Sequence, residues 1–236
     1  MAKPKKQQNK RNHRNNVPHG VIFVDKPAEL TSHDVVDRVR RATGVRTVGH
    51  TGTLDPIATG LLIVLVGRAA TKEQQSYMKL SKEYMVTMEL GRVSDTYDAD
   101  GKCKVSADQE MIKQIDRRVF DRVLSKYMGI VPQTPPPFSA IHVHGVKAYK
   151  LARKGERVEL QPRNIQIFEI KVIDFQIPFI TLIIKCSTGT YIRSLVHAIG
   201  KELATGAIMT ALRRTAIGPY RVESAQTLDA LDTPTV

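Results

Sequence analysis

The 236-residue chain has no tryptophan, two cysteines, few aromatics (6%) and fewer acids (23) than bases (36). Cys103 and Cys186 lie far apart without metal-ligand spacing, which gives no basis for a cysteine metal site and suits a reduced compartment. No run approaches the ~20 apolar residues of a membrane span. The basic start, MAKPKKQQNKRN, has no apolar stretch behind it and does not read as a secretory signal. A cytoplasmic protein without membrane contact is expected. Also missing are a GxxxxGK[ST] loop, a GxSxG elbow and the kinase signatures. His142 and His144 would share a strand face, but with no Cys, Glu or third His nearby they read as a polar strand edge.

What is present is positive charge. The formal net charge is +13 and the pI about 9.8, a balance that favours polyanionic partners. Residues 1–16 hold six Lys or Arg and no acid, yet the rest of the chain is basic as well. Residues 1–19 therefore read as a disordered basic tail and an electrostatic arm for nucleic acid.

Ordered sequence is expected from HGVIFVDKP onward, with VIFV as a strand ended at Lys26-Pro27. TSHDVVDRVRRATG predicts a helix capped by Thr31 or Ser32, with Val35, Val36 and Val39 inward and Gly44 as its stop. LLIVLV fits a buried central strand. ATKEQQSYMK predicts a helix, and KEYMVTMEL a strand with Tyr84, Val86 and Met88 on one face. SDTYDADG is a turn-rich acidic loop. Residues 108–128 predict one helix ended by Gly129, with Ile112, Ile115, Val119, Val123 and Leu124 inward. A proline-rich segment, a short alternation and a basic helix follow. FEIKVIDFQI and FITLIIKCS are two strands turning at Pro178, TYIRSLVHAIGKEL is a helix, and ALRRTAIGPYRV is extended. The pattern is one mixed α+β domain behind the tail.

Between the first helix and LLIVLV stands GHTGTLDPIATG, with one carboxylate at its centre. Asp-Pro initiates turns, and spacing alone gives that reading of Asp55 the larger share. The other reading is chemical. An ionised acid in a basic protein repels phosphate, whereas a carboxylate can serve as nucleophile or general base without a cofactor.

GHTGTLDPIATGLLIVLVG resembles the signature of the TruB family of tRNA pseudouridine synthases, which runs close to GHTGTLDPLATG, an apolar strand and a GEATK turn. Four further segments agree in order: VDKPAELTSHDVV, KEYMVTMELGRVSDTYDADG, PPPFSAIHVHGVKAYKLARKGE, and STGTYIRSLVHAIGKEL with ALRRTAIGPY. The resemblance covers roughly residues 20–220. It implies the pseudouridine synthase catalytic fold over residues 20–236, α+β with a mixed, largely antiparallel central sheet flanked by helices and an RNA-binding cleft. A thumb-like insertion is expected at about 135–163.

The implied reaction converts a T-loop uridine of tRNA to pseudouridine, without cofactor or metal, on the T-arm stem-loop bound by a monomer. By position, Asp55 matches the catalytic aspartate. Tyr84 matches the tyrosine that stacks on the target base and is a candidate for proton transfer, and Arg193 the arginine that pairs with the aspartate. Tyr191 and Leu212 correspond to residues lining the uracil pocket. His50 corresponds to a ring that fills the space left by flipped nucleotides. Lys26 and Lys72 match basic positions near the site. Lys147, Lys150, Arg153, Lys154 and Arg157 of the thumb suit contacts to the RNA backbone.

Three departures stand out. GRAATK is longer than GEATK and places Arg68 where an acid is usual, Phe138 replaces a customary tyrosine, and the sequence leaves no room for the PUA-type C-terminal domain many relatives carry. Two other classes compete: a non-catalytic RNA-binding or RNA-folding protein, and a guide-RNA-directed pseudouridine synthase subunit. Asp55, Tyr84 and Arg193 together speak against the first, and the SDTYDADG and PPPFSA segments against the second. The six unopposed charges of residues 1–16 give a test of the tail. Deleting them is expected to raise the apparent dissociation constant for RNA and flatten its salt dependence, whereas unchanged binding at low and high salt would remove the arm from the account.

Overall fold

The computed structural model describes residues 20–232 apart from 140, 144 and 157. The basic tail, His144 and Arg157 thus lie outside the described residues. Ten strands form one mixed sheet. They are β1 (Gly20–Lys26), β2 (Val48–His50), β3 (Thr59–Val66), β4 (Lys82–Leu90), β5 (Gly129–Gln133), β6 (Arg163–Gln176), β7 (Phe179–Cys186), β8 (Ala207–Ile217), β9 (Tyr220–Arg221) and β10 (Gln226–Thr227). The order is β10-β1-β3-β8-β4-β7-β6-β5, with β2 on β3 and β9 on β8. Only β3–β8 and β1–β10 pair in parallel, so the sheet is largely antiparallel, as expected.

The unbroken apolar run of β3 has a simple cause: both of its faces are covered. Leu62, Val64 and Val66 pack with Val35, Val36 and Val39 of helix α1 (Ser32–Thr43), while Leu61, Ile63 and Leu65 pack with Ile217 and Val222. Thr31 caps α1 through a reciprocal pair with Asp34, and Gly44 ends it in the left-handed region at φ 67°. The largest core joins β4, β7 and β8 to helices α2 (Arg117–Ser125) and α3 (Ile192–Glu202), with Phe120, Val123, Leu195, Val196 and Ile199 among its helical members. Tyr84, Val86 and Met88 of β4 point into that core together, as the alternation predicts.

Two predicted helices are each divided in the structure. Residues 70–79 belong to Arg68–Lys72 and Gln74–Lys79, separated at Glu73, whose amide turns back to Ala70 and Thr71. Residues 108–128 hold Gln109–Lys113 and α2, because Asp116 provides a second N-cap by accepting from the Val119 amide at 2.7 Å. The restart turns Val119 outward and puts Phe120 in the core, and Gly129 opens β5 instead of ending a helix. β6 starts at Arg163, upstream of the expected Phe168.

One contact fixes where β3 can lie. Gly60 has φ 101°, and a Cβ there would stand 2.3 Å from the Arg214 carbonyl oxygen and 2.7 Å from its nitrogen. Strands β3 and β8 meet that closely only over a glycine. Gly60→Ala is expected to lower unfolding free energy by about 3 kcal/mol, combining overpacking with left-handed strain. Urea denaturation measures it, and a loss below about 0.5 kcal/mol, the range of a neutral surface change, would contradict the contact.

Candidate active site

The loop between β2 and β3 carries Asp55, and three anchors hold it. Lys26, at the end of β1, is fully buried and donates to the carbonyls of Pro27 (2.8 Å), Leu30 (2.6 Å) and Pro56 (3.3 Å). Ser32 Oγ accepts from the Leu54 amide at 2.8 Å. Arg214, 1% exposed, donates from Nη2 to Gly52 O (3.0 Å) and from Nε to Leu61 O (2.7 Å). The carboxylate leaves this scaffold on a turn in which Ala58 N–H donates to Asp55 O.

Opposite stands Arg193 in the first turn of α3, its side chain only 6% exposed. Nη2 donates to Asp55 Oδ1 at 3.1 Å. Nε lies 2.9 Å from Asp55 Oδ2 but off hydrogen-bond alignment, so that approach is a charge contact. Nη1 donates to Thr96 O (2.9 Å) and lies 3.3 Å from Asp98 Oδ2, and Nη2 also reaches Phe138 O (3.2 Å). Arg193 therefore joins the Asp55 loop, the acidic loop and the proline-rich segment. Asp55 remains about one-third exposed, toward a cavity of about 870 Å³. Burial pushes its carboxyl above the ordinary carboxylate range; the Arg193 guanidinium pulls it back, and Asp98 adds to the push.

Tyr84, Tyr191, Leu212 and His50 line the same cavity. Tyr84 projects from β4 and is 8% exposed, and burial raises its phenol so that the neutral form dominates. Tyr191 precedes α3 and is fixed by Gln133 of β5, which accepts from its amide at 2.8 Å and donates to its carbonyl at 3.0 Å. His50 accepts at Nδ1 from the Gly52 amide (3.3 Å), and burial followed by Arg214 lowers its pKa, favouring a neutral ring. A smaller hollow, about 460 Å³ between α2 and β6, contains none of the candidate residues.

A family model described as TruB family pseudouridylate synthase (N terminal domain) matches residues 40–192, which is more than half of the chain. The chain belongs to the TruB family. A second model, tRNA pseudouridylate synthase B C-terminal domain, matches residues 193–235, so Asp55 and Arg193 fall in different matches. Relatives named tRNA pseudouridine synthase B include one from Opitutus terrae, 44% identical over 90% of this chain and 87% of the relative, and one from Thermobifida fusca, 44% identical over 90% and 74%. Among solved structures, an H/ACA RNP bound to a substrate RNA containing 2'-deoxyuridine superposes with a TM-score of 0.66 at 28% identity over 90% of this chain. A Cbf5-Nop10-Gar1 complex gives 0.68 at 28% over 90%. This TruB-family chain spans about half the length of those two solved chains.

The two predicted lysines are not in the cavity wall. Lys26 lies beneath the Asp55 loop with its ammonium on carbonyls, and Lys72 is exposed on the Arg68–Lys72 helix. Conversely, Asp98, Arg214, Lys82 and Gln133 act at the site without having been singled out. SDTYDADG offers three aspartates, and no spacing rule selects Asp98. Arg214 stands beside Arg213, which turns instead to a bidentate pair with Asp25 (3.0 and 2.7 Å). Among the described residues no group of three or more His, Cys, Asp or Glu could hold a metal ion, and no helix is long and apolar enough to cross a membrane.

Lys82 lines the cavity and donates to Met78 O and Leu80 O, both at 2.6 Å. Burial lowers Lys26 and Lys82 from 10.5 to about 8. Above pH 8 the folded chain has released protons that the unfolded chain keeps until about 10.5, so folding stability rises with pH in that window. Cys186, pushed by burial from 9.0 to about 11, acts in the opposite sense above pH 9. The expected result is an unfolding midpoint that rises between pH 8 and 9 and loses that rise in Lys26→Met/Lys82→Met; a flat wild-type profile would contradict it.

Proposed function

We propose that this chain isomerises uridine to pseudouridine in the T-loop of tRNA, with Asp55 as the catalytic carboxylate. The observation that carries the reading is the Asp55 carboxylate, ion-paired to a buried arginine and about one-third exposed toward a cavity of about 870 Å³, whereas Asp98 on the same arginine is buried. The reaction breaks the bond between ribose C1′ and uracil N1, turns the base, and joins C1′ to C5. The C5 proton leaves and N1 takes one up, so no atom is gained or lost. Asp55 supplies an electron pair at ribose or base, or takes a ribose proton, and each role requires the ionised form. Burial and Asp98 oppose that form; the Arg193 pair offsets them and holds the carboxylate in place.

The surrounding groups suit a flipped pyrimidine. Tyr84 offers a neutral ring for stacking, and Tyr191 and Leu212 add a phenol and an apolar wall. The same burial makes a standing Tyr84 phenolate costly, so any proton it takes from C5 must be matched by release of its own. His50, neutral and beside the Asp55 loop, suits the gap left by an extruded nucleotide. On the thumb, Lys147 and Arg153 flank the Tyr149 ring at 6.0 and 5.5 Å from its centre, a cation–aromatic group on the cavity rim that suits RNA backbone and base. Lys72 lies outside the cavity on an exposed helix, so its contact with RNA would be to phosphate at the periphery.

The test is pseudouridine mapping on an unmodified tRNA transcript without any added RNA. Wild type is expected to give T-loop product. Asp55→Asn should bind the transcript and lower kcat by on the order of 10³-fold, since the amide cannot supply the carboxylate's charge. Product from Asp55→Asn at the wild-type rate would sink the assignment, and product only with an added guide RNA would replace the stand-alone reading.

A further inference from the structure

Beneath the acidic loop lies a ring pair that the reaction does not touch. Tyr97 and His197 stack with centroids 3.9 Å apart and planes 12° from parallel. Tyr97 has φ 67°, a left-handed conformation that is uncommon and strained outside glycine and asparagine. His197 stands on α3 one turn beyond Arg193, on the same side of the helix. Its Nδ1 is buried with no hydrogen-bond partner among the described residues, so the stack, not a hydrogen bond, orients that edge of the ring.

The left-handed turn has a purpose. Its neighbours on either side, Thr96 and Asp98, are the two residues of this loop that hold Arg193, through a carbonyl at 2.9 Å and a carboxylate at 3.3 Å. The turn is tied on its far side to β8, where Met209 N–H donates to Tyr97 O and Met209 O accepts from Ala99 N–H. Those backbone bonds set the height of the loop over the sheet. Toward α3 the loop is held by the Arg193 contacts and by the Tyr97–His197 stack.

We infer that His197 is a positioning residue, which through its stack on Tyr97 holds the acidic loop closed around Arg193 and so fixes the Arg193–Asp55 pair. The inference rests on the role proposed above for Asp55. One helix thus carries both the arginine and the ring that keeps the arginine's acceptors in place. Losing the ring removes a side-chain anchor from a strained turn, and Thr96 and Asp98 then move off Nη1.

The experiment is steady-state pseudouridine formation on a tRNA transcript, with unfolding midpoints recorded for each variant. His197→Ala is expected to lower kcat about tenfold, equal to about 1.4 kcal/mol of transition-state stabilisation, with KM within twofold of wild type. His197→Phe, which keeps a flat ring but no imidazole nitrogen, is expected to restore kcat to within about twofold. Tyr97→Gly, which relieves the backbone while removing the ring, should resemble His197→Ala; full activity there would show that strain, not stacking, matters and would overturn the inference. Equal loss in His197→Ala and His197→Phe overturns it too, as does a kcat that merely follows the unfolding midpoint. Asp55→Asn in the same assay separates the two levels. If it is inactive while His197→Ala matches wild type, the positioning role fails and the Asp55 role stands. If it turns over normally, the Asp55 role itself fails.

Discussion

A guanidinium removed from water must find acceptors for its N–H groups, and Arg193 finds them on three separate segments. Asp55 comes from the loop before β3, Thr96 O and Asp98 from the acidic loop after β4, and Phe138 O from the proline-rich segment. A buried cation left with one of these missing is costly, so the three segments are held in register by a single side chain. Stability and site geometry are the same demand here. The carboxylate facing the cavity is also the counter-ion that lets Arg193 be buried.

The loops can meet at Arg193 because the framework beneath them does not yield. β3 is covered on both faces, Gly60 lets β8 approach it without a side chain between, and Lys26 and Arg214 fasten the Asp55 loop from below. Burial and Asp98 disfavour the ionised carboxylate, while Arg193 and, more weakly, Lys26 favour it.

Much of the frame was legible in the residues. Alternation in KEYMVTMEL, the unbroken run LLIVLV and the Thr31–Gly44 capping signals follow local rules, and those elements stand where the rules put them. The divided helices were less legible, because Asp116 is a cap signal inside a sequence whose apolar spacing continues past it. Asp55 was legible as a family motif and not from spacing, since Asp-Pro is also ordinary turn chemistry. Asp98, Gln133 and Arg214 could not be chosen in advance. Each works through a partner distant in sequence, and one-dimensional periodicity does not record such partners. Phe138 shows the converse. Its side chain departs from the family's customary tyrosine, yet the contact it makes to Arg193 uses the main-chain carbonyl.

The order of the strands also bears on how the chain is made. Asp55 and Arg193 are 138 residues apart, and β3 takes β8 as its neighbour across a similar span. As the polypeptide leaves the ribosome, β1, α1, β2 and β3 can assemble at once, with β2 pairing Val64–Val66, but the Thr59–Gly60 end of β3 that receives β8 stays open until nearly the whole molecule has emerged. During that interval the end of an apolar strand is displayed with unpaired backbone groups, the kind of surface that molecular chaperones cover. The Asp55–Arg193 pair is therefore a late contact: one partner is made before β3, and the other follows 138 residues behind it.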